Sequence, residues 1–306
     1  MPPEEQKPKH AEGYRPDVTK ACERALVTLM GAFATLAPTV RLVGGLAPRY
    51  ITPEAPPHIP AHAGTSDVDV VFNLQVIAEG SGYAKLAHQL KSKGFERHVD
   101  NGVPHSWRWK IVVEDIVVFV EFLRDANGLE PGTVVSVDGE KLSALAIRYS
   151  EITHDWYIKR QVTAELVGGG VATVEVPVAD AAAFVILKAL SLNQRHEHKD
   201  AADLIHVLQY AGSVAHIANL FVEKIHSGRH AEALDAGLSA LRQNFCHADL
   251  RVAMKLIGPV QYAQFHVAQE DDPDEFEKRR RDAVSLVTAI LQAIDARRTP
   301  KEPAIA

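Results

Sequence analysis

Cysteine is almost missing from this chain. Only Cys22 and Cys246 occur in 306 residues. They lie far apart, match no zinc or redox spacing, and read as small apolar side chains. No apolar run approaches the ~20 residues that cross a bilayer, so no membrane span is expected. The first residues, Met1 to Lys7, lack the apolar core of a secretory signal, and the expected location is the cytoplasm. A basic excess is missing too: 33 Lys and Arg stand against 39 Asp and Glu, for a net charge of −6. That balance argues against a dedicated nucleic-acid binder and leaves a local basic patch open. No internal repeat is visible.

What is present is ordinary for a globular protein, with 46% hydrophobic and 24% charged residues. The length suggests two domains. Residues 1–14 are rich in Pro, Lys and Glu and read as a disordered tail. Apolar positions Ala21, Ala25, Leu26, Leu29, Met30 and Phe33 predict a helix over 16–36. Arg41 to Val43 reads as a short strand ending in Gly44-Gly45, and 53–60 as a loop by its prolines. A second strand spans 68–74, and a helix covers 81–93, closed by Gly94. Residues 106–113 and 116–123 read as a hairpin turning at Glu114-Asp115. Residues 133–176 hold short β-like runs. After Pro177 the chain turns helical, with helices over 181–192 and 200–210, a polar loop over 193–199 between them, largely helical periodicity over 214–295, and a last clear helix over 283–294. The expectation is an α+β protein: a tail over 1–14, a mixed-sheet α/β domain over 15–176 with flanking helices, and a helical domain over 177–306.

Asp67 and Asp69 are two apart on a strand, so both carboxylates face one way while Val68 and Val70 face the core. Like charges this close repel, and a cation between them lets both stay ionised. Hard oxygen donors on a rigid strand suit Mg²⁺ or Mn²⁺, which also bind phosphates. Glu121, an acid in the otherwise apolar run 116–123, is the best third ligand. Three such acids can hold the two cations of a phosphoryl-transfer site. Gly44-Gly45 would let the backbone approach a phosphate. Taken singly, the acids also fit solvated strand ends and the glycines a plain tight turn.

Gly44-Gly45 followed by Asp67-x-Asp69 resembles the nucleotidyltransferase superfamily pattern, and His62 to Asp69 looks like the branch around AbiEii-type abortive-infection toxins. The loop between glycines and acids is longer here than is usual there, with 53–60 resembling an insertion. The resemblance implies that Asp67, Asp69 and Glu121 bind the metal. It also implies that Gly44, Gly45 and Ser66 hold the triphosphate of an NTP.

A second cluster follows. Lys188 is the only charge in the apolar helix 181–192, and either snorkels to water or points into a polar cleft. Asp200 and Asp203 share a helix face. By themselves they read as a helix-dipole acid and as a partner of Arg195 or Lys199. A lysine followed by Lys199-Asp200-x-x-Asp203-Leu204 again resembles the AbiEii-type family. That likeness implies Lys188 on nucleotide phosphates, with Asp203, or else Asp200, positioning Lys188 or the acceptor. The expected activity is transfer of NMP from an NTP to a hydroxyl of RNA, such as tRNA, or of a protein. The resemblance also implies the toxin half of a toxin–antitoxin pair, with a cognate antitoxin as partner. The alternative is a degenerate fold that binds nucleotide or a partner without turnover. His196 and His198 flank Glu197 with no third zinc ligand at proper spacing, and read as surface residues. The basic run 278–281 reads as a solvated helix start.

Overall fold

A computed structural model describes residues 8–72, 86–100, 102–136, 142–195 and 197–298. The chain divides into two compact units. Tyr14–Ala183 belongs to the first, and Phe184 onward, together with Pro8–Gly13, to the second.

The first unit is built on one mixed sheet. Its strands among the described residues are β1 (Val40–Val43), β2 (Asp67–Phe72), β3 (Glu96–Asp100), β4 (Val103–Val113), β5 (Ile116–Asp125), β6 (Val134–Ser136), β7 (Ser143–Ile147), β8 (Tyr157–Glu165) and β9 (Val171–Ala179). The main path runs β3-β4-β5-β2-β1-β9-β8, with β7 added to β5 and β6 to β7. One edge of β5 pairs parallel with β2, Asp69 opposite Glu121. Its other edge is shared: residues 116–121 pair antiparallel with β4, and 123–125 pair parallel with β7. Register explains the alternation. Val68, Val70, Val120 and Phe122 are buried on one face, so Asp67, Asp69, Phe119 and Glu121 share the other.

The helix Pro16–Phe33 covers the apolar face. Its Phe33 ring lies 6.0 Å from Phe122, which lies 5.5 Å from Phe72 and 6.5 Å from Trp109. Such packed rings carry much of the burial free energy of a core this size. The helix stops earlier than its apolar spacing predicts. Ala34 takes φ +48 and Pro38 follows, so residues 34–39 wind as a 3₁₀ segment instead.

Two other expectations shift at their edges. The second strand ends at Phe72, and residues 73–74 of the expected strand lie outside the described residues. The helix expected over 81–93 is described from Leu86 to Ser92, with 81–85 outside the described residues.

The second unit is helical. It comprises most of Ala181–Arg195, then His198–Tyr210, Val214–Ser227, Ala231–Phe245, Leu250–Ala253, Ile257–His266 and Pro273–Arg298. The last helix packs on Val214–Ser227, Ala231–Phe245 and Ile257–His266. It begins ten residues before its apolar stripe because Glu275–Arg279 and Glu277–Arg281 pairs support the polar turns at Pro273–Asp282. The polar loop expected from Asn193 is instead helical to Arg195. Asn244 Nδ2 donates to Asn193 Oδ1 at 2.8 Å, so a polar residue is bonded rather than looped out.

Of the expected tail over 1–14, residues 1–7 lie outside the described residues. Residues Ala11–Gly13 form a 3₁₀ turn, and His10 Nδ1 bonds Gln264 O at 2.8 Å. The structure as described contains no helix long and apolar enough to cross a membrane.

Candidate active site

β1 ends where Gly44 turns away with φ +65, in the left-handed region open to glycine. Val43 pairs with Asp69 on β2, and Asp69 pairs with Glu121 on β5. The glycine turn, the aspartates and the glutamate therefore come from three adjacent strands at one level of the sheet. Asp67, Asp69 and Glu121 each present a carboxylate oxygen within 4.8 Å of the others. A Cβ on Gly44 would stand 2.6 Å from Asp69 Cγ, closer than real side chains approach. Gly44 leaves the space that Asp69 fills. Gly45 is buried behind it in the 3₁₀ turn Gly44–Leu46.

The stretch before β2 is fastened from two sides. Thr65 Oγ1 donates to Asp67 Oδ1 at 2.7 Å. Thr65 N donates to Thr19 Oγ1 at 3.2 Å, so the first helix anchors the loop. A Cβ on Gly64, at φ +104, would strike the Thr19 hydroxyl. Ser66 is half-buried between this anchor and Asp67.

Beneath the acids lies Cys22, fully buried, with Sγ 3.8 Å from Thr65 O. Burial first, then the negative charges of Asp67, Asp69 and Glu23, push its thiol well above its ordinary range.

On the β4 side, Arg108 pairs in register with Glu121. Its Nε lies 3.2 Å from Glu121 Oε1, and its Cζ lies 4.2 Å above the Phe119 ring. Neither Arg108 nor Thr65 stands out in the sequence as a site residue. A signal for Arg108 was available: a hairpin turning at Glu114-Asp115 puts Val113 against Ile116, and counting outward brings 108 to 121.

These residues can hold a divalent cation. The donors are hard oxygens, three of them converge, and the glycine turn opens beside them. The rest of the acidic face carries its own compensation in Arg108 and the Thr65 hydroxyl.

The second cluster lies within the helical unit. Lys188 neither snorkels nor faces open water: it is 7% exposed. Its Nζ sits 2.7 Å from Asp200 Oδ1 and 2.8 Å from Asp203 Oδ2. Arg195 Nε holds the other oxygen of Asp200 at 2.8 Å, and Lys199 Nζ that of Asp203 at 2.6 Å. Burial opposes the charge on Lys188, but Asp200 and Asp203 outweigh it and raise its pKa. Burial likewise opposes the charge on Asp200, and Lys188 and Arg195 overcome it and lower its pKa. Three cations and two carboxylates form one network, with Asp200 and Asp203 both in contact with the lysine amine.

His196 lies outside the described residues. His198 is half-buried with its ring 6.1 Å from His10. The basic run pairs with Glu275 and Glu277 along its own helix. Trp109 is core and Trp107 half-buried.

A family model described as Nucleotidyltransferase matches residues 23–219, well over half of the chain and inclusive of the glycine turn, the three acids and the Lys188 cluster. No curated protein matches the chain.

Proposed function

The chain belongs to the nucleotidyltransferase family, and on that premise we propose that it transfers NMP from an NTP to a hydroxyl of RNA, such as tRNA, or of a protein. The observation that carries this reading is the convergence of Asp67, Asp69 and Glu121 beside the Gly44 turn. Asp67 and Asp69 would hold Mg²⁺ or Mn²⁺, with Glu121 completing the set. When bound, the cation supplies Lewis-acid stabilisation of phosphate charge.

The chain's own residues do the rest. Gly44, Gly45 and Ser66 receive the triphosphate: the two glycines let the backbone approach the phosphate oxygens, and the Ser66 hydroxyl can donate to them. The acceptor oxygen bonds to the α-phosphorus, the bond to the bridging oxygen breaks, and pyrophosphate leaves with the electron pair. Glu121 is the base assigned to take the acceptor proton. The family resemblance implies Lys188 on nucleotide phosphate, but its buried amine, held by Asp200 and Asp203, supports a role within its own helical unit instead. An AbiEii-type toxin acting beside a cognate antitoxin in the cytoplasm fits this chemistry and remains part of the proposal.

The test is incorporation of labelled nucleotide from each of the four NTPs into total RNA and into extract protein. Asp69→Asn should abolish metal-dependent transfer with the circular dichroism spectrum unchanged. Transfer that persists in this variant refutes the assignment, and metal-independent nucleotide binding without turnover points to a binding module instead.

A further inference from the structure

We propose that Arg108 competes with the divalent cation for the Glu121 carboxylate, and so sets how much free cation the site needs before it fills. The inference rests on the metal-binding reading above and concerns a residue outside the carboxylate set.

Four observations carry it. Arg108 and Glu121 are cross-strand partners in register, so the pairing is built into the sheet. The Nε–Oε1 separation is 3.2 Å, with only 23% and 18% of the two side chains exposed, so solvent screens the pair weakly. The guanidinium lies over the Phe119 ring at 4.2 Å, a cation–π contact that restrains its orientation. Phe119 pairs in register with Asp67, which places ring, guanidinium and all three acids on one face.

The charges then compete. Three clustered carboxylates repel one another, and Arg108 relieves one of them without leaving the sheet. A divalent cation that takes Glu121 as ligand must share it with a guanidinium or displace it. Arginine cannot shed its proton to ease the conflict, so the competition holds across the working pH range. Arg108 sets one positive charge against the acids, so less of their charge is left for a divalent cation to balance. Arg108 is therefore a positioning residue: it restrains the Glu121 carboxylate from the β4 side and lowers the affinity of the cluster for a cation.

The test is direct Mn²⁺ binding by calorimetry on the full chain without nucleotide. Arg108→Gln should bind Mn²⁺ roughly tenfold more tightly than the parent. Arg108→Lys, which keeps the charge but loses the stacked guanidinium, should tighten binding by only about threefold. Equal or weaker binding by Arg108→Gln overturns the proposal. If that variant does not fold, Phe119→Leu serves in its place. Loss of the ring should tighten Mn²⁺ binding roughly threefold, and parent-like affinity overturns the proposal. Asp69→Asn separates this inference from the reading beneath it. If the parent shows no Mn²⁺ binding that Asp69→Asn removes, the metal site itself fails and Arg108 with it. If Asp69-dependent binding is present and Arg108→Gln matches the parent, only the role of Arg108 fails.

Discussion

Gly44 and Asp69 occupy one another's space: a methyl group on the glycine would stand 2.6 Å from the aspartate's carboxyl carbon. The turn that would receive a phosphate and the acid that would hold a cation are thus a single steric unit. Gly44→Ala should move Asp69 and strain a backbone at φ +65. The expected result is loss of nucleotide transfer by at least about a hundredfold and a stability cost of about 1–3 kcal/mol. Transfer kinetics and thermal unfolding of the same preparation check both. A fully active alanine variant would separate the two residues.

Thr65 acts through Asp67. Thr65→Val removes the 2.7 Å hydroxyl bond to Oδ1 and keeps the side-chain shape. The acid loses one partner, so the cost is about 1 kcal/mol in stability. The Mn²⁺ requirement for transfer should also rise, read as a shifted titration midpoint. An unchanged midpoint would make Thr65 a fold residue only.

Cys22 reports the local field. Its thiol is buried, and its ionisation is pushed up by burial and by Asp67 and Asp69. At pH 8 a thiol reagent should label Cys246, which is half-exposed, and leave Cys22 unlabelled until denaturant is added. Mass spectrometry of the labelled peptides decides the matter, and rapid native labelling at Cys22 would contradict the packing around it.

The Lys188 network makes a prediction about pH. The folded-state pKa of Asp200 is lowered from 3.8, so its contribution is present above 3.8 and fades as pH falls through the lowered value. That of Lys188 is raised from 10.5, so its contribution is present below 10.5 and fades as pH climbs through the raised value. The network should therefore hold its stabilisation across the whole neutral range. Lys188→Met, which leaves Asp200 and Asp203 buried with one cation fewer, should cost about 3 kcal/mol near pH 7. Denaturant unfolding of parent and variant at pH 5, 7 and 9 measures it. A deficit that vanishes at pH 7 would show the network to be dispensable.

Much of the acid cluster was legible because strand alternation is a local rule. Asp67 and Asp69 flank Val68, Glu121 sits between Val120 and Phe122, and period two assigns each to a face. The glycine turn was legible as a turn, but its tie to Asp69 was not, since it depends on which strand lies beside β1. Arg108 and Thr19 escaped for a similar reason. One becomes visible only when hairpin register is counted, and the other reaches the loop across 46 positions. Lys188 offered two local readings, surface or cleft, and adopted neither, because Asp200 and Asp203 make a buried amine tolerable. The last helix was placed at its apolar stripe because periodicity detects repeated burial, and its first turns bury a single large side chain, Phe276.

β5 takes a parallel neighbour on one edge and two neighbours of opposite sense on the other. No slack remains for sliding. A slip of β5 by one residue against its neighbours would exchange the roles of Glu121 and Val120, sending a carboxylate into the oily interior and a valine toward the acids. The two-residue corner at Glu114-Asp115 sets that register against β4 and so keeps the chemistry on the face away from the core.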